Sequence, residues 1–292
     1  MKTLFTKRTA LHKLGIVLAG SVALMVMQGT AMAVGITDTK HNLSSSGTGN
    51  KFTATNGSSE ICAFCHTPHG ADTTAPAPLW NRKMADPAGY TTYAALGTSS
   101  LMGAVAPVGS VSLACLSCHD GTQAMNTVIN QAGSGGYNAA GATQAGDWTV
   151  GTSGSADTAT PVGSLSNAGI GNIGTDLKND HPVGVQYAGG GFLSSANLAA
   201  SGGDAAGTPN NADFVTPKAI GNGSTASFWV DTGGAGRQKT DLILYTRTEA
   251  TVGNVAQPFV ECASCHDPHS TNATFLRTAN TSSAVCLACH VK

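Results

Sequence analysis

Hydrophobic positions run together from Ile16 to Met27, behind a basic flank of Lys2, Lys7, Arg8 and Lys13. Ala31-Met32-Ala33 follows as an A-x-A site. A basic flank, a short apolar run and a small-residue site in that order predict a signal peptide, residues 1–33, cleaved on export. The run is too short for a membrane span, and no later stretch could form one.

From residue 34 the pattern changes. Residues 34–61 read as an extended arm, and Pro68 stops any helix begun just before it. Pro76, Pro78, Pro87 and Pro107 make residues 71–110 loop, with one short helix near Tyr93. Asp120-Gly121 is a turn signal. Residues 131–176 and 189–225 are mostly Gly, Ala, Ser, Thr and Asn but lack the high charge of disorder. Short strands joined by glycine turns suit them, and Ser227–Val230 and Asp241–Thr248 read as strands. The expected divisions are 1–33, the leader; 34–130, the arm and two motifs; 131–240, a Gly/Ala/Ser/Thr-rich insertion; and 241–292, two further motifs.

Composition alters this picture. Glycine numbers 37, aromatics make up 5% and charged residues 11%. Few large side chains are left to build a core. Without the leader, 11 Lys+Arg face 16 Asp+Glu, a balance of −5 that argues against nucleic acid as a partner.

The eight cysteines supply what the core lacks. They fall into four CxxCH motifs with none left over: Cys62/Cys65/His66, Cys115/Cys118/His119, Cys262/Cys265/His266 and Cys286/Cys289/His290. This is the attachment signature of c-type haem. Each thiol can add across a haem vinyl, and the histidine can then reach the iron. Four covalently bound haem c groups are expected, and attachment outside the cytoplasm agrees with the leader. The expected fold is mostly irregular and loop-rich, with short helices at the CxxCH motifs and a few short β-strands. It is a multihaem cytochrome c built around a haem stack, with no separate hydrophobic core.

His66, His119, His266 and His290 are the proximal ligands. Outside the leader four histidines remain, His41, His69, His181 and His269, one distal ligand for each iron. Met84, Met102 and Met125 compete, but packing suits them better. A three-residue step spans at most about 10 Å and cannot pass around a haem edge. His69 therefore caps a haem other than that of His66, and His269 one other than that of His266. Eight histidines on four irons leave no open site, so the chemistry is one-electron transfer at low potential and not catalysis.

Lys40-His41-Asn42-Leu43-Ser44, Cys65-His66-Thr67-Pro68-His69-Gly70, Asn179-Asp180-His181-Pro182-Val183 and Cys265-His266-Asp267-Pro268-His269 together resemble the tetrahaem extracellular cytochrome nanowires (OmcE-type) of metal-reducing bacteria. The resemblance covers both ends and the middle histidine, not the glycine-rich interval. It implies head-to-tail filaments of this chain, with a histidine of one subunit ligating a haem of the next. His41, on the arm, is the candidate for donation. Redox partner cytochromes and extracellular acceptors such as metal oxides would be the other partners. The alternative is a monomeric periplasmic carrier resembling the c3-type tetrahaem cytochromes, which are about 30 residues per haem; here 259 residues would serve four haems. A multihaem reductase would need an open iron or a CxxCK motif, and no CxxCK is present.

Overall fold

The computed structural model describes residues 35–49, 51–52, 59–74, 76–134, 136–143, 148–150, 155–156, 163–166, 169–180, 182–192, 198–204, 207–221, 223–234 and 236–291. The expected leader and His181 lie outside them. The described strands are β1 (Lys51–Phe52), β2 (Thr127–Asn130), β3 (Tyr137–Thr143), β4 (Trp148–Val150), β5 (Ser155–Ala156), β6 (Val185–Gln186), β7 (Leu198–Asp204), β8 (Lys218–Gly221), β9 (Ser227–Val230), β10 (Leu242–Thr248) and β11 (Ala256–Val260). Three α-helices accompany them: α1 (Ser110–His119), α2 (Cys262–Cys265) and α3 (Ala284–Cys289).

Six strands form one antiparallel sheet in the order β6-β11-β10-β9-β8-β7. β9 and β10 pair from Leu242 opposite Val230 to Leu244 opposite Phe228. The loop between them is tied by one carboxylate. Asp241 accepts from the Thr232 amide at 2.9 Å, the Thr232 hydroxyl at 3.0 Å and the Gln238 amide at 2.6 Å. Further back, Gly191 (φ +98°) and Gly207 (φ +102°) let the chain pass close to itself. A side chain at Gly191 would strike the Thr208 carbonyl, and one at Gly207 the Gly191 carbonyl. β9 ends the expected insertion and β10 opens the expected last segment, so the sheet runs across the division at residue 240.

The sheet has a core of its own, which corrects the expectation that none would form. Tyr187, Phe192, Phe228, Val230, Leu242 and Leu244 are buried together there. Large side chains are scarce in the chain as a whole, but they are gathered on this one sheet. Each buried Phe or Leu contributes about 1.5–3 kcal/mol. Two smaller clusters lie under the motifs. Leu43, Phe52, Phe64, Met125 and Leu165 pack with Cys65 and Cys118. Val108, Leu113, Leu116, Leu177 and Val183 pack with Cys262.

This architecture positions the motifs. β11 leads straight into α2, whose start is closed by a capping box between Glu261 and Ser264. The segment before β8 runs beside the end of α3, where the Val215 amide donates to the Cys289 carbonyl at 2.9 Å.

Candidate haem-binding site

Each CxxC pair sits on a short helical turn: a 3-10 turn at Ile61–Phe64, then α1, α2 and α3. One turn puts residues i and i+3 on the same face, so the two thiols of each motif stand side by side. No disulfide joins any of the eight cysteines. At the end of the turn the histidine amide closes back on the first cysteine's carbonyl: His66 on Cys62 at 2.8 Å, His266 on Cys262 at 3.1 Å, His290 on Cys286 at 3.0 Å.

Three motifs are then held by the same backbone clip. At motif one the Thr67 amide donates to the Leu79 carbonyl and the Asn81 amide to the Cys65 carbonyl. Motif three repeats this, with Asp267 to Phe275 and Arg277 to Cys265. In motif four Val291 donates to Asp213 and Val215 to Cys289. The side chains extend the repeat, since Asn81 Nδ2 donates to the Ala63 carbonyl and Arg277 Nε to the Ala263 carbonyl. Motif two differs because α1 runs on through His119.

Backbone carbonyls also orient three of the imidazoles. His66 Nδ1 lies 2.6 Å from the Pro78 carbonyl, His119 Nδ1 2.7 Å from that of Gly171, and His266 Nδ1 2.8 Å from that of Thr274. A carbonyl only accepts, so each Nδ1 carries a proton, and in the neutral ring that leaves the lone pair on Nε2. That is the tautomer a metal-ligating histidine needs. His41 is oriented alike, with Nδ1 3.2 Å from the Pro268 carbonyl. Burial first, and then the neighbouring His119, bring the His41 imidazolium down to about 4, against the pull of the Pro268 carbonyl. Burial also lowers His119. Both rings are thus held neutral.

Two pairs of imidazole rings come close together. His66 and His269 have centroids 6.3 Å apart and planes 12° apart. His41 and His119 are 6.1 Å apart at 79°. Two imidazoles on opposite faces of one iron, with metal–nitrogen bonds of about 2 Å, would have centroids about 6 Å apart. His41 thus lies beside a histidine of its own chain, and Phe275 stacks on it at 4.0 Å. His290 packs on Phe214 at 4.3 Å. His69 and His290 are both exposed. Of the methionines, Met125 is buried in the cluster under motifs one and two, Met84 packs on the cluster of Cys262, and Met102 is 57% exposed.

The motifs follow one another through their cysteines. Burial, and after it Cys118, push the Cys65 thiol up to about 12. Cys115 and Cys262 are in direct contact, and the contact raises Cys115 and lowers Cys262. Cys289 is pushed up to about 12 by burial and then by Cys265. Motif one thus adjoins two, two adjoins three, and three adjoins four.

The donors therefore fit haem: paired thiols on single turns, ligating tautomers, and opposed imidazoles at the right separation. Residues 255–292 match the family model of the doubled CXXCH motif, which spans motifs three and four. The match supports a multihaem c-type cytochrome. It points to electron transfer and to covalently bound c-type haem. No curated protein matches the chain.

The eight motif cysteines and eight histidines were candidates from sequence. Sequence reasoning missed Pro78, Gly171 and Thr274 as carbonyl partners, and Phe275 and Phe214 as ring supports. Backbone carbonyls leave no residue-type signal. Only the repeated Cys-His-x-Pro-His stretch hinted that motifs one and three share a local structure.

Proposed function

We propose that this cytochrome binds four haem c groups, each iron held by two histidines, and passes single electrons along them as a subunit of an extracellular filament. The observation that carries this reading is the opposition of His66 to His269 and of His41 to His119 at about one iron's width. Haem, when bound, supplies reversible ferric/ferrous chemistry.

The protein's part is to hold ligands and fix spacing. His66 and His269 serve the first motif's iron, and His119 and His41 the second. Leu177 and Val183 pack in the same cluster as Cys262, so we assign His181, which lies between them in sequence, to the iron of His266. His69 is then left for His290. Neither lies beside another histidine ring among the described residues, which supports pairing between adjacent copies. A ligand given from one end of a subunit to the other end of the next makes a heterologous contact, which propagates into a filament when it does not close. Export to the cell surface, redox partner cytochromes and external acceptors such as metal oxides complete the reading.

Electron microscopy of haem-stained, sheared cell-surface material tests it. Thin haem-positive filaments are expected, and His69→Ala should disperse them and leave one high-spin iron per chain. Filaments that survive His69→Ala would overturn the His69 assignment. Dispersed haem protein alone, at high concentration of the unmodified chain, would leave the monomeric carrier.

A further inference from the structure

Among the described residues one basic side chain is buried, and it is buried completely. Arg82 is 0% exposed. Its guanidinium donates from Nη1 to the Met125 carbonyl at 2.8 Å, and from Nη2 to the carbonyls of Ser117 at 3.0 Å and Ala124 at 2.9 Å. The Nε–H meets no partner, and none of the ion pairs of the described residues includes Arg82. A buried charge without a counter-charge is costly, and three carbonyl dipoles offset only part of that.

The position of this charge is informative. Ser117 immediately precedes Cys118, and Asn81, just before Arg82, clips Cys65. Met125, whose carbonyl it grips, packs in the cluster that Cys65 and Cys118 also touch. Arg82 thus stands at the junction of motifs one and two. The buried charges by motif three are different. Glu261, just before Cys262, is paired with Arg247 at 2.9 Å, and Asp267, just after His266, faces Lys239 at 3.7 Å. Asp120, buried just after His119, accepts from the hydroxyls of Tyr90 and Thr122 and, like Arg82, joins no ion pair among the described residues. At the first junction a fully buried cation is held by carbonyls alone, and among the described residues the third motif has no fully buried cation.

Such a charge acts on whatever changes charge beside it. Ferric haem carries one more positive charge than ferrous haem, so a nearby cation favours the ferrous form. Burial keeps salt from screening it.

We propose that Arg82 tunes redox potential, holding the haems of motifs one and two above those of motifs three and four. The proposal rests on the haem reading above. It gives the array a direction, since electrons arriving at motifs three and four fall toward motifs one and two.

Spectroelectrochemical titration of the haem-loaded protein tests it, after haem is counted from the alkaline pyridine spectrum. In the unmodified protein the four midpoints should separate into two higher and two lower. Arg82→Met should pull two of them down, cutting their ferrous-to-ferric ratio at fixed poise by about tenfold or more, or about 59 mV for one electron. Arg82→Lys should largely restore them. Should Arg82→Met not fold, Met125→Glu sets a carboxylate beside the guanidinium and should lower the same two. Four coincident midpoints in the unmodified protein, or four haems whose midpoints ignore these changes or shift uniformly, would overturn the proposal alone. A chain without haem would sink the haem reading and this proposal with it.

Discussion

The imidazoles of His66 and His269 lie 6.3 Å apart with nearly parallel planes, although one belongs to the first motif and the other follows the third. His269 is only three residues beyond His266, so under the proposed ligation the irons of His66 and His266 would be neighbours. Replacing His269 by alanine should leave the iron of His66 without its second ligand. One high-spin iron per chain is expected by low-temperature electron paramagnetic resonance. Four low-spin irons in that variant would show the pairing to be wrong.

His41 depends on Phe275, which stacks on it at 4.0 Å with planes 26° apart. Phe275 sits at φ +58° beside Thr274 at +53°, and the Thr274 carbonyl orients His266. One turn therefore steadies His41 and His266, the proposed ligands of two irons. Phe275→Ala should remove a contact worth about 0.5–1.5 kcal/mol. A high-spin fraction that grows on warming, followed by absorbance, is the expected sign. A variant indistinguishable from the parent across temperature would deny Phe275 this role.

Much of the site was legible in the sequence, because haem attachment demands two thiols and a histidine at fixed spacing. The ligand pairing was not. His69 and His269 hold the same offset from their motifs and are both exposed, yet His269 meets His66 while His69 meets no ring of the described residues. The difference lies in how distant loops fold together, as when the Pro268 carbonyl takes the Nδ1–H of His41. Strands β9 and β10 were also legible, from their apolar residues. The core they share with Tyr187 and Phe192 was not, because local composition around those residues is dominated by glycine.

That core gives a prediction of its own. Phe228 is 1% exposed within the sheet. Phe228→Ala should cost about 3–5 kcal/mol of stability. The thermal midpoint should fall while the spin state of the folded protein stays as it was. Lost ligation in the folded variant would mean that sheet and haem sites are not separable in this way.

Asp72 supplies a dependence on pH. It accepts from the Thr74 hydroxyl at 2.6 Å, the Thr74 amide at 2.8 Å and the Met84 amide at 3.3 Å. Burial works to raise its pKa, but these hydrogen bonds and nearby Lys83 outweigh it and hold the carboxyl below its ordinary value. A folded pKa below the unfolded one stabilises fully above the ordinary carboxylate range, and the effect is lost as pH falls through the folded value. Asp72→Asn should therefore be less stable than the parent at neutral pH, with the gap closing in acid. Denaturant titrations at several pH values check this; a gap that does not change with pH would contradict it.

The proposed function requires eight histidines on the axial positions of four irons. Haem counting combined with low-temperature electron paramagnetic resonance of the oxidised, assembled protein tests it most directly. The account predicts four c-type haems per chain, all low-spin. Fewer haems, or a high-spin iron in the intact assembly, would contradict it.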